Sequence, residues 1–152
     1  MTDSFLNIAI EEAKLGLAEG GIPIGSILVL DGRVIGRGHN QRVQKHSVIR
    51  HAEMDCLEAA GRLPALDYRR AILYSTLSPC DMCSGAILLY KIPKVVIGEN
   101  RTFRGPEEYL RSRGVKIVVV DNDECVRLME AFIRDNGPLW GEDIGEETLP
   151  LL

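Results

Sequence analysis

An Asp-Gly pair at positions 31 and 32 separates two runs rich in β-formers, IPIGSILVL before it and RVIGRGHN after it. Both turn residues tolerate positive φ, and a two-residue loop of this kind matches the twist of the strands it joins. The first two strands are therefore expected to be antiparallel neighbours. Ahead of them, Leu6, Ala9, Ile10, Ala13 and Leu17 keep helical spacing, and Gly20-Gly21 stops a helix expected over residues 3–19. Beyond the hairpin the period alternates. RHAEMDCLEAAG reads as a helix, AILYST as a strand, CDMCSGAILLY as a helix and KVVIGE as a strand. PEEYLRSRG, KIVVVD and ECVRLMEAFIRD then continue as helix, strand and helix. Strands joined through helices use right-handed crossovers and run parallel. KIVVVD also lacks the in-and-out alternation of a half-wetted strand. The expected fold is α/β, a mixed five-stranded sheet between helices, antiparallel in its first hairpin and parallel thereafter.

A chain of 152 residues has enough length for one core and too little for two, so residues 1–152 are expected to form a single domain. No apolar run approaches the roughly 20 residues of a membrane span. The opening MTDSFLNIAIEEAKLG lacks the basic lead and apolar block of a secretory signal, which points to a cytoplasmic protein. In that compartment four cysteines are better read as metal ligands, catalytic groups or core residues than as two disulfides. The net charge of −4 and the scatter of Lys and Arg leave no basic stripe for long nucleic acid. A small basic patch at Arg42, Lys45 and Arg50 is the exception.

The chemistry concentrates in TLSPCDMC. Ser78 suits an N-cap and Pro79 a first helical position, which would set Cys80 and Cys83 on one face of an opening turn. The positive end of a helix favours thiolate over thiol. C-x-x-C alone fits a metal grip or a redox couple. His51 and Glu53, followed by Pro79, Cys80 and Cys83, complete H-x-E with P-C-x-x-C, the signature of zinc deaminases that act on bases. His51, Cys80 and Cys83 offer zinc three protein ligands and leave a fourth position open, as in catalytic sites. Residues two apart on a regular helix do not face one another, so His51 and Glu53 should both sit where the helix begins. Cys56 and Cys125 suit buried packing, and His39 and His46 suit turn or surface positions. GAILLY, apolar almost all round, is either a central core helix or a subunit interface.

Read segment by segment, EEAKLGLAEGGIPIGS, GRGHN, ILYSTLSPCDMCSGAI, VVIGEN, IVVVD and WGEDIGE follow one another as they do in a known family. The chain resembles the cytidine deaminase superfamily, and within it the fungal-type zinc-dependent cytosine deaminases. That resemblance implies a three-layer α/β/α sandwich, a tight homodimer and one Zn2+ per subunit. It makes His51, Cys80 and Cys83 the ligands and Glu53 the proton shuttle. Asn40 matches an asparagine that hydrogen-bonds the pyrimidine, and Ser78 would offer its backbone carbonyl to the leaving amine. Ala52 stands where the fungal enzyme has glycine; its N–H is retained and a methyl is added. Ile24 and Phe103 match apolar pocket residues, and Trp140 and Asp143 match a lid within residues 137–152. Outside that context Asn40 reads as a strand-end turn residue, Trp140 as a packing anchor and Asp143 as a solvated charge. The implied reaction is cytosine to uracil and ammonia, on a small nucleobase and without membrane or long nucleic acid. Isocytosine is the nearest rival, because its amidine can be laid over that of cytosine. Guanine and tRNA adenosine deaminases share the zinc motif. A zinc-stabilised binding module would need a fourth ligand, for which neither Cys56 nor Cys125 has the spacing.

Overall fold

Asp31 and Gly32 both take positive φ, 51° and 77°, and the strands they join pair antiparallel from Gly25 against His39 to Leu30 against Arg33. The computed structural model describes residues 3–147. In chain order these form α1 (Ser4–Ala18), β1 (Gly25–Leu30), β2 (Arg33–His39), α2 (Ala52–Ala60), α3 (Ala65–Tyr68) and β3 (Ile72–Leu77). There follow α4 (Asp81–Tyr90), β4 (Lys94–Glu99), α5 (Glu107–Ser112), β5 (Lys116–Val119), α6 (Asp123–Asp135) and α7 (Gly137–Ile144). The sheet order is β2-β1-β3-β4-β5. β1 is antiparallel to both its neighbours, whereas β3, β4 and β5 run parallel.

Alternation along the strands makes the layers. Leu28, Leu73, Val95 and Ile97 face one way, against Cys56 of α2, Ile87 of α4 and Leu110 of α5. Ile27, Val29, Tyr74 and Val96 face the other, against Leu6, Ala9 and Ile10 of α1 and Cys125 of α6. Cys56 and Cys125 are thus core residues. A third cluster, with Ile22, Ile24, Ala52, Leu77, Met129, Phe132 and Trp140, closes the end of the sheet where β3 finishes. Ligands in open α/β sheets sit at that end, beyond the carboxyl ends of the parallel strands. α2 is drawn tightly onto β2 because Gly38 has no side chain. A Cβ there would lie 2.6 Å from the backbone nitrogen of Cys56. This close approach sets where α2 begins and hence where His51 and Glu53 stand.

Several expectations are corrected. The helix after β3 starts later than the Ser-Pro pair suggests: Cys80, extended at ψ 179°, is its N-cap. Ser78 does not cap it, because its Oγ donates instead to the buried Glu107 at 2.6 Å. β5 is an edge strand, with Lys116 exposed and Ile117, Val118 and Val119 half-buried, so its unbroken apolar run does not mean full burial. Leu17 is 42% exposed although it keeps helical spacing. α4 is no central core helix, since Leu89 and Tyr90 lie open at 68% and 44%. α7 has Pro138 near its start and a left-handed Gly145 at its end, and α3 is a single turn. Neither was anticipated, because both are too short to establish a period. Residues 148–152 of the expected lid and tail lie outside the described residues.

His39 was expected at a turn or surface and is buried. Its Nδ1 faces Glu12 Oε1 at 3.2 Å and its Nε2 faces Glu19 Oε1 at 2.7 Å, which ties β2 to α1. His46 is exposed at φ 50°, as expected of a turn. Burial alone would lower the His39 pKa, yet the two carboxylates raise it above 6.5. A raised folded-state pKa gives stability that is fully present below 6.5 and fades as pH rises through the folded value. His39→Gln should therefore cost about 1–2 kcal/mol in acid, the exposed Glu19 arm being screened by solvent. The urea-midpoint gap to wild type should be widest near about pH 6 and narrow towards about pH 9. A gap that stays constant with pH would show that the cation plays no part.

Candidate active site

Two helix starts converge at the end of β3. His51 is the N-cap of α2, with extended backbone at ψ 163°, and Glu53 lies in the first turn, so both side chains reach past the helix end as their spacing required. Cys80 caps α4 and Cys83 lies three residues on. His51 Nδ1 is 3.4 Å from Cys80 Sγ and 3.9 Å from Cys83 Sγ. The three donor atoms lie within 4.8 Å of one another and are the metal-capable cluster of His, Cys, Asp and Glu among the described residues. Zinc at about 2.3 Å from sulfur and about 2.0–2.1 Å from nitrogen implies a tetrahedral S···N edge of about 3.6 Å. The two observed separations bracket that value, and one imidazole with two sulfurs is a donor set zinc accepts. The residues fit the ion.

Their surroundings set which protons a metal would have to displace, since it binds neutral imidazole and thiolate. Donation from the Cys83 thiol outweighs burial and lowers Cys80 to about 4. Cys83 is in turn pushed well up by Cys80 and by burial. The two sulfurs share a proton that a cation would displace. Burial would lower His51, but Asp143 and Cys80 raise its pKa to about 10. His51 Nε2 faces Asp143 Oδ1 at 3.2 Å, so Nδ1 can hold a metal while Nε2–H donates to the carboxylate, which fixes tautomer and ring orientation.

Beside the cluster lies a small cavity of about 20 Å³ whose walls include Ile24, His51, Ala52, Glu53, Leu77, Ser78, Cys80, Phe103, Trp140, Asp143 and Ile144. Phe103 and Trp140 meet edge to face at 5.9 Å. Nearly every residue the sequence nominated therefore reaches one cavity. Asn40 stands just behind it, fully buried, with Nδ2 donating to Asp143 Oδ2 at 3.1 Å. Burial raises the Glu53 carboxyl above its ordinary range, against Cys83, His51 and Ser75, which lower it.

Sequence reasoning missed the residues that hold these in place. Ser75 Oγ donates to Glu53 Oε1 at 2.8 Å, both groups being buried. Alternation on β3 puts Ser75 on the same face as Leu73 and Leu77, and a hydroxyl in so apolar a strand was the available signal. Glu107 accepts from Ser78 Oγ and, at 3.1 Å, from Asn100 Nδ2. Leu77 and Ile144 line the cavity without having been nominated. The two arginines of the basic patch are paired, Arg42 Nε donating to Asp143 at 2.6 Å and Arg50 Nε to Asp55 at 3.0 Å, while Lys45 is exposed. Asp143 is thereby a buried, paired carboxylate.

The chain has relatives of known kind. The family model described as the cytidine and deoxycytidylate deaminase zinc-binding region matches residues 1–99. A cytosine deaminase of Candida albicans is 51% identical over 142 residues, covering 93% of this chain and 95% of that one. A tRNA-specific adenosine deaminase of Streptococcus pyogenes is 37% identical over 143 residues, 86% of this chain and 88% of its own. A solved structure from a study of tRNA:A34 deaminases superposes with TM-score 0.68 at 29% identity, over 82% of this chain and 97% of that chain. No helix among the described residues is long and apolar enough to cross a membrane. A family match that takes in His51, Cys80 and Cys83, with relatives aligned along nearly the whole length, leaves one assignment: the chain belongs to the cytidine and deoxycytidylate deaminase zinc-binding family.

Proposed function

We propose that the protein is a zinc-dependent hydrolase that removes ammonia from a free pyrimidine base, converting cytosine to uracil. The observation that carries this reading is the small cavity, apolar on its faces and walled on one side by His51, Glu53 and Cys80. Its apolar walls, Ile24, Leu77, Phe103 and Trp140, suit the faces of a flat single ring once the lid moves to admit it. The 51% identity to a cytosine deaminase supports the same substrate.

Zinc held by His51, Cys80 and Cys83 would supply Lewis-acid chemistry, bringing the pKa of a water it holds from about 15.7 to about 7. Glu53 is the proton carrier. Held through Oε1 by Ser75, its carboxylate is placed to take a proton from the attacking water, pass it to the ring nitrogen and later protonate the departing amine. Asn40 spends one of its two amide hydrogens on Asp143, which leaves the other for the base. The Ala52 N–H, in the unpaired first turn of α2, meets the ring carbonyl. The Ser78 carbonyl accepts from the leaving amine, and Glu107 fixes the residue that bears it. Ile24, Phe103 and Trp140 hold the ring faces. Residues 137–147 act as the lid of a single deaminase domain. The thiolate pair suits a reducing compartment, so cytoplasm is the proposed location.

Ammonia release by the zinc-loaded protein, compared across cytosine, isocytosine, guanine, cytidine and deoxycytidylate, tests the reading. The largest kcat/KM is expected on cytosine. A larger value on isocytosine reassigns the substrate, and no ammonia from any of the five overturns the proposal.

A second copy of the chain is the proposed occupant of the groove beside α4. The groove measures about 940 Å³ and is lined by Leu88, Leu89, Ile92, Pro93 and Tyr109 among others. Leu89 and Tyr109 stand 68% and 53% exposed beside it. The dimer implied by the family resemblance would cover that apolar face. Sedimentation at micromolar protein should give a dimer, and Leu89→Glu should give a folded monomer. A wild-type monomer at all concentrations would remove the second copy.

A further inference from the structure

Asp143 on α7 has three partners at once. Its Oδ1 accepts from Arg42 Nε at 2.6 Å and faces His51 Nε2 at 3.2 Å, while its Oδ2 accepts from Asn40 Nδ2 at 3.1 Å. His51 and Asn40 belong to the site already described. Arg42 does not line the inner cavity. It approaches Asp143 from an outer groove of about 660 Å³ that shares His51, Cys80, Phe103 and Asp143 with that cavity. Arg42 is itself anchored: its backbone N–H donates to Asn40 Oδ1 at 2.9 Å, and Nη2 donates to the Val48 carbonyl at 3.2 Å. Its side chain is 12% exposed and that of Asp143 only 1%. A further approach to α7, Nη1 to Glu142 at 3.7 Å, is long and its carboxylate lies 47% exposed.

The cavity beneath α7 offers about 20 Å³, room for about one water. A pyrimidine needs more space, so a wall must move to seat a base, and α7 supplies three of its lining residues, Trp140, Asp143 and Ile144. Moving α7 away separates Asp143 from all three partners. Of the three, His51 belongs to the metal cluster and Asn40 is fully buried behind the cavity, whereas the guanidinium reaches Asp143 from the outer groove and is its charged partner outside the metal cluster.

We propose that Arg42 is the latch of this lid: a positioning residue that holds α7 closed through Asp143 and so governs capture and release of the base without touching it. The identity of the bound molecule rests on the deaminase reading; the latch is a property of α7. The driving force is charge. A buried carboxylate opposite a guanidinium is compensated, and a charge-assisted hydrogen bond in a water-poor site is stronger than one at the surface. Without Arg42, Asp143 keeps only the donors from Asn40 and His51. The closed lid then buries a poorly compensated charge that water would solvate in the open one.

Trp140 is the sole tryptophan and lies on α7, so its fluorescence reports the lid directly. Wild type, Arg42→Gln, Arg42→Lys and Glu142→Gln are compared as zinc-loaded protein. In Arg42→Gln the acrylamide quenching constant of Trp140 should rise about twofold or more, and KM for the base about tenfold with kcat held or raised, as when the competent closed fraction falls by about that factor. Arg42→Lys, which keeps the charge and loses the Nε geometry, should fall between the two; it carries the comparison if Arg42→Gln does not fold. Glu142→Gln should match wild type in both readings. Wild-type quenching in both Arg42 variants overturns the latch, as does an equal rise in Glu142→Gln, or a fall in kcat with KM unchanged. A wild type that releases no ammonia condemns the deaminase reading and leaves the quenching comparison intact.

Discussion

Glu53→Gln lowers kcat for base deamination by about 10²- to 10⁴-fold, the range a positioned acid–base group contributes, and leaves bound zinc unchanged. The amide keeps the shape and can still meet Ser75 Oγ, which lies 2.8 Å from the carboxylate in the wild type. It cannot take up a proton at neutral pH. Burial already raises the Glu53 carboxyl above its ordinary range, which makes it a better base than an exposed glutamate, so its replacement should be felt in turnover more than in binding. Metal content by elemental analysis and steady-state kinetics on the same preparation separate the two effects. Near-normal turnover in the variant would assign the proton to another group, and loss of zinc would mean that Glu53 helps to hold the ion.

Cys83→Ala loses zinc and with it all measurable turnover, and a strong chelator does the same to wild type. Cys83 is fully buried at the start of α4, and its sulfur lies within 4 Å of the imidazole nitrogen. Two remaining donors do not hold the ion against water. Because the unfolded chain does not bring His51 together with two sulfurs from beyond β3, the ion binds the folded state preferentially. With free zinc at about 1,000 times its dissociation constant, that preference stabilises the fold by about 4 kcal/mol. Stripped protein should therefore melt lower, and the loss should be recovered on adding zinc. Turnover that survives chelation would exclude the ion from the reaction.

The strand and helix alternation, the antiparallel first hairpin and the mixed sheet were all legible, because each rests on local patterns: turn residues tolerant of positive φ at Asp31 and Gly32, runs rich in β-formers, and apolar spacing along α1. His51, Glu53, Cys80 and Cys83 were legible for another reason. Their chemistry is carried by residue type and short spacing, which survive without knowledge of the fold. Asn40, Trp140 and Asp143 could be nominated only by resemblance, since each alone has a commoner structural role.

The rest needed three dimensions. Nothing near Arg42 in sequence announces Asp143, about a hundred residues away. Ser78 looks like a cap until Glu107, on a different helix, accepts its hydroxyl. His39 looks like a turn residue until Glu12 and Glu19 close on it from α1. The amino-acid order by itself determined which elements form and which atoms do chemistry, because propensity and ligand type act over a few residues. Only tertiary structure decided which groups hold those atoms in place and which helix covers them, because hydrogen bonds and ion pairs between distant segments depend on the directions in which packed layers aim their side chains.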